Sequence, residues 1–127
     1  MPHLVEEQSK QYHFSKFELE FIEHFNQFGI SMFEVAVQKG GWKKDKNLSE
    51  AICLIHAQLS KAVWAIRKVN PPHTKISDLS EAEVALAEVN IRIMDLASKK
   101  GLRVGEALFR KHHFNKNSPF SDKHFEF

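Results

Sequence analysis

With a single cysteine, Cys53, the chain can form no internal disulfide, and with five glycines and four prolines in 127 residues it has few places to turn. No apolar run approaches the ~20 residues that cross a bilayer. The amino-terminal stretch MPHLVEEQSK lacks the basic-then-apolar layout of a secretory signal, so a soluble, cytoplasmic protein is expected. A surplus of charge is also missing. Eighteen Lys and Arg against sixteen Asp and Glu leave a formal +2, well short of the dense basic surface that phosphate-backbone binding requires, which argues against nucleic acid as the main partner. Gly40 and Gly41 precede a helical pattern but lack the spacing and the Lys-Ser/Thr pair of a phosphate loop. The chain shows no internal repeat, no low-complexity tract and no linker long enough to divide it. One domain is expected, with a core over about 15–115 and a polar, Phe-containing tail over 116–127.

What is present is apolar enough to fold. Hydrophobic residues make up 43% of the chain and charged residues 27%, the range of a globular domain and not of a disordered one. A chain of this length buries roughly two-thirds of its extended surface, enough to do without disulfides or a structural metal. Eleven Phe favour strands by propensity, yet no stretch alternates apolar and polar convincingly, whereas several keep the three-to-four spacing of a helix. The fold class is therefore all-α.

The first helix begins near Ser15, where Ser15 and Glu18 have the spacing of a capping box, and Phe17, Phe21, Phe25, Phe28 and Met32 line one face. Gly29 inside that pattern costs about 1 kcal/mol relative to Ala, so the helix either runs through or breaks there and restarts at the second box, Ser31 and Glu34. A second helix runs from about Asn47 or Leu48 to about Val69, stopped by Pro71 and Pro72, with Ile52, Ile55, Leu59, Val63 and Ile66 as its core stripe. A third opens at Ser80, with Glu83 at the box position, and closes at Gly101; it is apolar over more than one face, which suits a central or interfacial helix. A fourth spans about Arg103 to Asn115.

Few side chains offer chemistry. Cys53 sits between Ile52 and Leu54 and reads as an inert core thiol. Of eight His only His112 and His113 are close, and neighbours on a helix point about 100° apart, which does not make a zinc site. Glu81, Glu88 and Asp95 recur every seven residues on one face with Ala85 and Arg92. Such a stripe is either a solvated face, with Arg92 pairing to Glu88 one turn away, or a set of hard oxygen ligands for Mg²⁺.

At this point three segments taken in order resemble the MazG-like family of all-helical nucleotide pyrophosphohydrolases. AVQKGGWKKDKNLSEAICLIHAQLSKAV resembles its glycine-aromatic step followed by a helix with leucine-isoleucine-histidine and a paired-glutamate ExxE motif. ALAEVNIRIMDLASKKGL resembles its ExxD motif running into an apolar segment, and KHHFNKNSPF its carboxyl-terminal lysine, aromatic-asparagine pair and proline-aromatic step. The spacing between the three, set by a proline-containing loop from Asn70 to Ser77, is a fourth point of resemblance.

The resemblance implies a bundle of four to five helices completed by oligomerisation, as a homodimer or a dimer of dimers through the second and third helices. It also implies two acidic motifs that face each other, hold Mg²⁺ against a nucleoside triphosphate and promote cleavage between the α and β phosphates by water. Carried over position by position, however, the ExxE residues are Gln58 and Lys61 and the ExxD residues are Ala85 and Glu88. A site near −4 becomes a site near zero, so tight Mg²⁺ binding is expected to be lost, with no cofactor in its place. The simplest replacement is that Lys61 reaches across to Glu88, or to Glu81, in place of the cation. In the third motif Lys111 and Asn115 match nucleotide-associated positions, but Ser118 stands before Pro119 where arginine is expected. Trp42 and His56 remain as further ligand-binding candidates, with Glu81 and Arg92; Trp42 either stacks on a base or covers the core near a loop.

The expected function is thus a MazG-like fold without Mg²⁺-dependent hydrolysis that binds a nucleotide or another small ligand at the former active site. One alternative is an active pyrophosphohydrolase with a metal site rearranged onto Glu81, Glu88, Asp95 and Glu50. Another is a helical protein-interaction module built on the phenylalanines Phe114, Phe120, Phe125 and Phe127.

Overall fold

The structure, a computed structural model, describes residues 12–43 and 46–119. Among the described residues are four helices and no strand: α1 (Lys16–Gln38), α2 (Leu48–Arg67), α3 (Glu81–Lys100) and α4 (Val104–Asn117). None is long and apolar enough to cross a membrane. The chain forms two compact units, Asn26–Arg103 on the one hand and Met1–Phe25 with Val104–Phe127 on the other.

Local chemistry sets the helix ends where the sequence places them. Before α1, the Ser15 N–H donates to Glu18 Oε1 (2.8 Å) and the Glu18 N–H donates to Ser15 Oγ (3.1 Å), a reciprocal capping box. Asn47 accepts the Glu50 N–H at 2.8 Å at the start of α2, and Ser80 and Glu83 complete a second reciprocal box at α3. Gly101 ends α3 at φ 64°, a left-handed conformation that glycine adopts without strain.

Gly29 does not break α1. It is buried, and a Cβ placed on it would lie 3.1 Å from the Met94 carbonyl oxygen and 3.6 Å from Ser98 Cβ. The missing side chain lets α1 approach the backbone of α3, and Ser31 and Glu34 lie within the same continuous helix.

Which faces are buried differs from the expectation by about one residue of rotation. On α1 the buried positions are Glu18, Ile22 and Gly29, while Phe17, Phe21 and Phe28 are exposed. On α2, Ala51, Ala62 and Ala65 are buried with Ile55 and Gln58 half-buried, a heptad-like row facing the α3 residues Ala82, Leu96 and Ala97. The stripe expected to form the core stands out instead: Ile52, Leu59, Val63 and Ile66 are 42%, 45%, 53% and 61% exposed. The physical reason is distance. Helix separation follows the size of the contacting side chains, and an alanine row brings α2 and α3 close enough to exclude the larger aliphatic row beside it. Cys53, read as a core thiol, lies outside that row and is exposed.

In the other unit, α1 and α4 meet through aromatic rings. Phe21 and Phe109 stack edge to face with centroids 5.3 Å apart, and Gly105 is buried where a Cβ would come within 3.3 Å of the Phe25 ring. Beside them His113 bridges two partners: Nε2 lies 2.9 Å from Glu18 Oε2, and Nδ1 lies 3.0 Å from the Tyr12 hydroxyl. A carboxylate can only accept, so in the neutral ring Nε2 donates to Glu18 and Nδ1 accepts the Tyr12 proton. His112 is exposed, so the two adjacent imidazoles are divided between a hydrogen-bonded cluster and the surface.

The Ser15 backbone N–H lowers the Glu18 pKa from its ordinary 4.5; partial burial opposes the shift, and the Ser15 hydroxyl and His113 reinforce it. Because the folded chain holds Glu18 deprotonated more strongly than the unfolded chain does, its stabilisation is complete above pH 4.5 and is lost as pH falls through the lowered folded value. The Glu18→Gln variant is expected to have a lower urea midpoint than the parent at pH 7, with the two converging below pH 4.5. Parallel curves across that range would assign the stabilisation elsewhere.

Candidate functional site

The site is built by the loop between α2 and α3. Val69 and Asn70 follow the α2 cap at φ 65° and 49°. Asn tolerates the left-handed region, but a β-branched residue there is strained and has to be held from outside. Asn70 supplies the hold: its N–H donates to Ala65 O (2.7 Å) and its Oδ1 accepts the Ala82 N–H (2.9 Å), tying the end of α2 to the first turn of α3. Glu81 N–H to Pro71 O and His73 N–H to Leu79 O, both 2.8 Å, fold the loop back on itself. Within it, His73 Nδ1 accepts from the backbone N–H groups of Lys75 (3.2 Å) and Ile76 (3.0 Å). A nitrogen that accepts carries no proton, so the ring is neutral and its proton sits on Nε2.

This loop and the two helices enclose a groove of about 570 Å³ lined by Gln58, Lys61, Trp64 and Lys68 of α2 and its end, His73 and Thr74 of the loop, and Glu81, Val84, Ala85, Glu88 and Arg92 of α3. The volume is in the range of small-molecule sites. All four positions matched to the acidic motifs, Gln58, Lys61, Ala85 and Glu88, line this one groove, and so do Glu81 and Arg92. Three cations against two carboxylates give the lining one net positive charge.

Lys61 does not take the role expected of it. Glu88 Oε1 lies 3.2 Å from Arg92 Nε, one turn along the same helix, and among the described residues neither Lys61 nor Lys68 forms an ion pair. An i,i+4 partner on α3 is reached without stretching across the groove, although such a surface pair contributes only about 0.3–0.5 kcal/mol. The donor set fits Mg²⁺ poorly: one neutral carboxamide oxygen, one carboxylate already paired with a guanidinium and one further carboxylate stand among fixed cations. A site rearranged onto Glu81, Glu88, Asp95 and Glu50 meets a geometric limit as well. Glu81 and Asp95 are two heptads apart, roughly 21 Å along a helix axis, too far to share one ion.

Asp95 is committed elsewhere, its Oδ1 accepting the Trp42 indole N–H at 2.8 Å. Trp42 lies outside the groove, in a second cavity of about 500 Å³ with Lys39, Lys43 and Lys99, and the Lys46 ammonium sits 4.6 Å from its ring centroid. His56 is exposed on α2. Lys111 and Asn115 lie on α4, in the other compact unit, where the Lys111 ammonium sits 4.8 Å from the Phe114 ring. Phe114 is 61% exposed; Phe120, Phe125 and Phe127 lie outside the described residues.

Five lining residues were not singled out in the sequence: Trp64, Lys68, His73, Thr74 and Val84. The first two were legible, because Lys61, Trp64 and Lys68 fall at i, i+3 and i+7, one face of a helix. The loop residues carry no periodic signal. No family model matches the chain, and neither the curated proteins nor the solved structures include a match to it.

The Trp42–Asp95 bond is expected to hold the turn after α1 against α3. Asp95→Ala should cost about 1–2 kcal/mol in urea unfolding and shift Trp42 emission, whereas Asp95→Asn, which keeps an acceptor oxygen, should retain most of both. Equal losses in the two variants would show that the charge of Asp95, and not its acceptor, matters.

Proposed function

We propose that the chain is a MazG-like helical protein that has given up Mg²⁺-dependent pyrophosphohydrolysis and binds a nucleotide or another small anionic ligand in the groove between α2 and α3. The observation that carries this reading is the charge of the groove. Its lining collects the very positions at which the resembled family places carboxylates, yet it bears Lys61, Lys68 and Arg92 against Glu81 and Glu88. A site designed around a dication and a triphosphate is anionic before the metal arrives; a net cationic groove attracts the anion directly. Trp64, Val84 and Ala85 supply the apolar surface on which a planar ring would rest.

Self-association belongs to the same reading. Ile52, Leu59, Val63 and Ile66 recur at helical spacing on α2 and are all exposed in the single chain. Burying such a row is worth roughly 25 cal/mol per Å² of apolar area, and a second copy, as a homodimer or within a dimer of dimers, covers it at no cost in new sequence.

Three measurements test these statements. With EDTA present, nucleoside mono-, di- or triphosphates are expected to raise the melting temperature of the parent protein, and Lys61→Ala is expected to abolish that rise while changing the unliganded stability by less than about 0.5 kcal/mol. Release of pyrophosphate from a nucleoside triphosphate on adding Mg²⁺ or Mn²⁺ would overturn the loss of hydrolysis. In sedimentation, the parent is expected to run as a dimer or tetramer and Ile66→Glu as a smaller species; a monomeric parent would remove the self-association.

A further inference from the structure

The groove has a polarity from one wall to the other that the overall charge conceals. Around the corner where α2 ends and the loop begins, Lys68, His73 and Thr74 line it, with Lys61 two turns back along α2 and the Glu81 carboxylate at the start of α3. The ammonium groups of Lys61 and Lys68 have no ionic partner among the described residues, so their charge is not already neutralised. His73 contributes in a way that its residue type alone does not reveal. Both backbone N–H bonds end on Nδ1, which fixes the tautomer and leaves Nε2–H as the donor still to be used. On the α3 side Glu88 and Arg92 satisfy each other, which leaves Glu81 as the one carboxylate set against the two ammonium groups.

We infer that this corner is a metal-free subsite for a phosphoryl anion, a phosphate ester or pyrophosphate, with Lys61 and Lys68 supplying charge and His73 Nε2–H and the Thr74 hydroxyl supplying directed hydrogen bonds. This deepens the reading of the groove as a small-ligand site and rests on it. A phosphoryl group, with three or more acceptor oxygens and up to two negative charges, can engage two ammonium groups and two neutral donors at once, whereas a carboxylate offers them one charge and two oxygens. Trp64 stands between the two lysines on the same face of α2, so a ring attached to the phosphoryl group has a surface beside it.

His73→Asn separates the two duties of the ring. The Asn Oδ1 takes the position of Nδ1 and can accept the Lys75 and Ile76 N–H groups, as in an Asx turn, while nothing replaces the Nε2–H donor. In EDTA, titration calorimetry with inorganic pyrophosphate is expected to show binding to the parent, weakened at least about fivefold by His73→Asn and more strongly by Lys68→Ala, with both variants melting near the parent. Acetate at the same concentration is expected not to bind. Nucleoside monophosphates and their unphosphorylated nucleosides distinguish a phosphate carried on a ring from the free anion: the variants should weaken the former and leave the latter alone. Pyrophosphate binding with the same affinity in all three proteins, or acetate binding as well as pyrophosphate, would falsify the subsite. Nucleotides that bind the variants as tightly as the parent would overturn the subsite and leave the small-ligand groove standing, whereas no binding of any probe would overturn both.

Discussion

Two helices lined with alanine along their shared face gain contact only by coming close together, and the rest of the Asn26–Arg103 unit follows from that approach. Ala51, Ala62 and Ala65 on α2 face Ala82, Leu96 and Ala97 on α3, and Gly29 lets α1 reach the α3 backbone in the same manner. Small residues at the contact put the next row of side chains at the rim. On one rim that row is Lys61, Trp64 and Lys68, which with Gln58 becomes one wall of the groove. On the other it is Ile52, Leu59, Val63 and Ile66, which is left without cover. A larger residue in the alanine row would separate the helices and disturb both rims together.

The loop is the second element that the groove needs. Its left-handed Val69 and Asn70 are held in place by hydrogen bonds from both helices, so strain at the turn is offset by the fit of α2 against α3. The same geometry that closes the turn assigns the proton of His73. Backbone structure here sets side-chain chemistry, since two amide donors decide which ring nitrogen can serve a ligand.

Much of this was legible in the sequence and some was not, for identifiable reasons. Helix number, both reciprocal capping boxes and the Gly101 stop are local features, and local chemistry decided them. The rotation of the buried faces was hidden, because hydrophobicity favours the row Ile52, Leu59, Val63 and Ile66 over the alanine row beside it, and only the separation of the helices chooses between them. Of the site, Gln58, Lys61, Ala85 and Glu88 came from ordered motifs and Glu81 and Arg92 from spacing along α3, and all six line one groove. The pairing of Lys61 was misjudged because spacing cannot show that Arg92 reaches Glu88 first. His73 and Thr74 gave no signal, since loop residues have no period; Trp42 and His56 are not in the groove lining because sequence order does not fix which wall a side chain joins, and Lys111 and Asn115 belong to the other compact unit.

Between Tyr12, His113 and Glu18 every bond has a direction: phenol to imidazole, imidazole to carboxylate. A second proton on the ring would leave the Glu18 bond as it stands and reverse only the other, the phenol oxygen turning from donor to acceptor while all three heavy-atom positions stay put. Tyr12 is therefore fastened to α4 through His113 with either polarity of the phenol bond, its hold set by where the three heavy atoms stand.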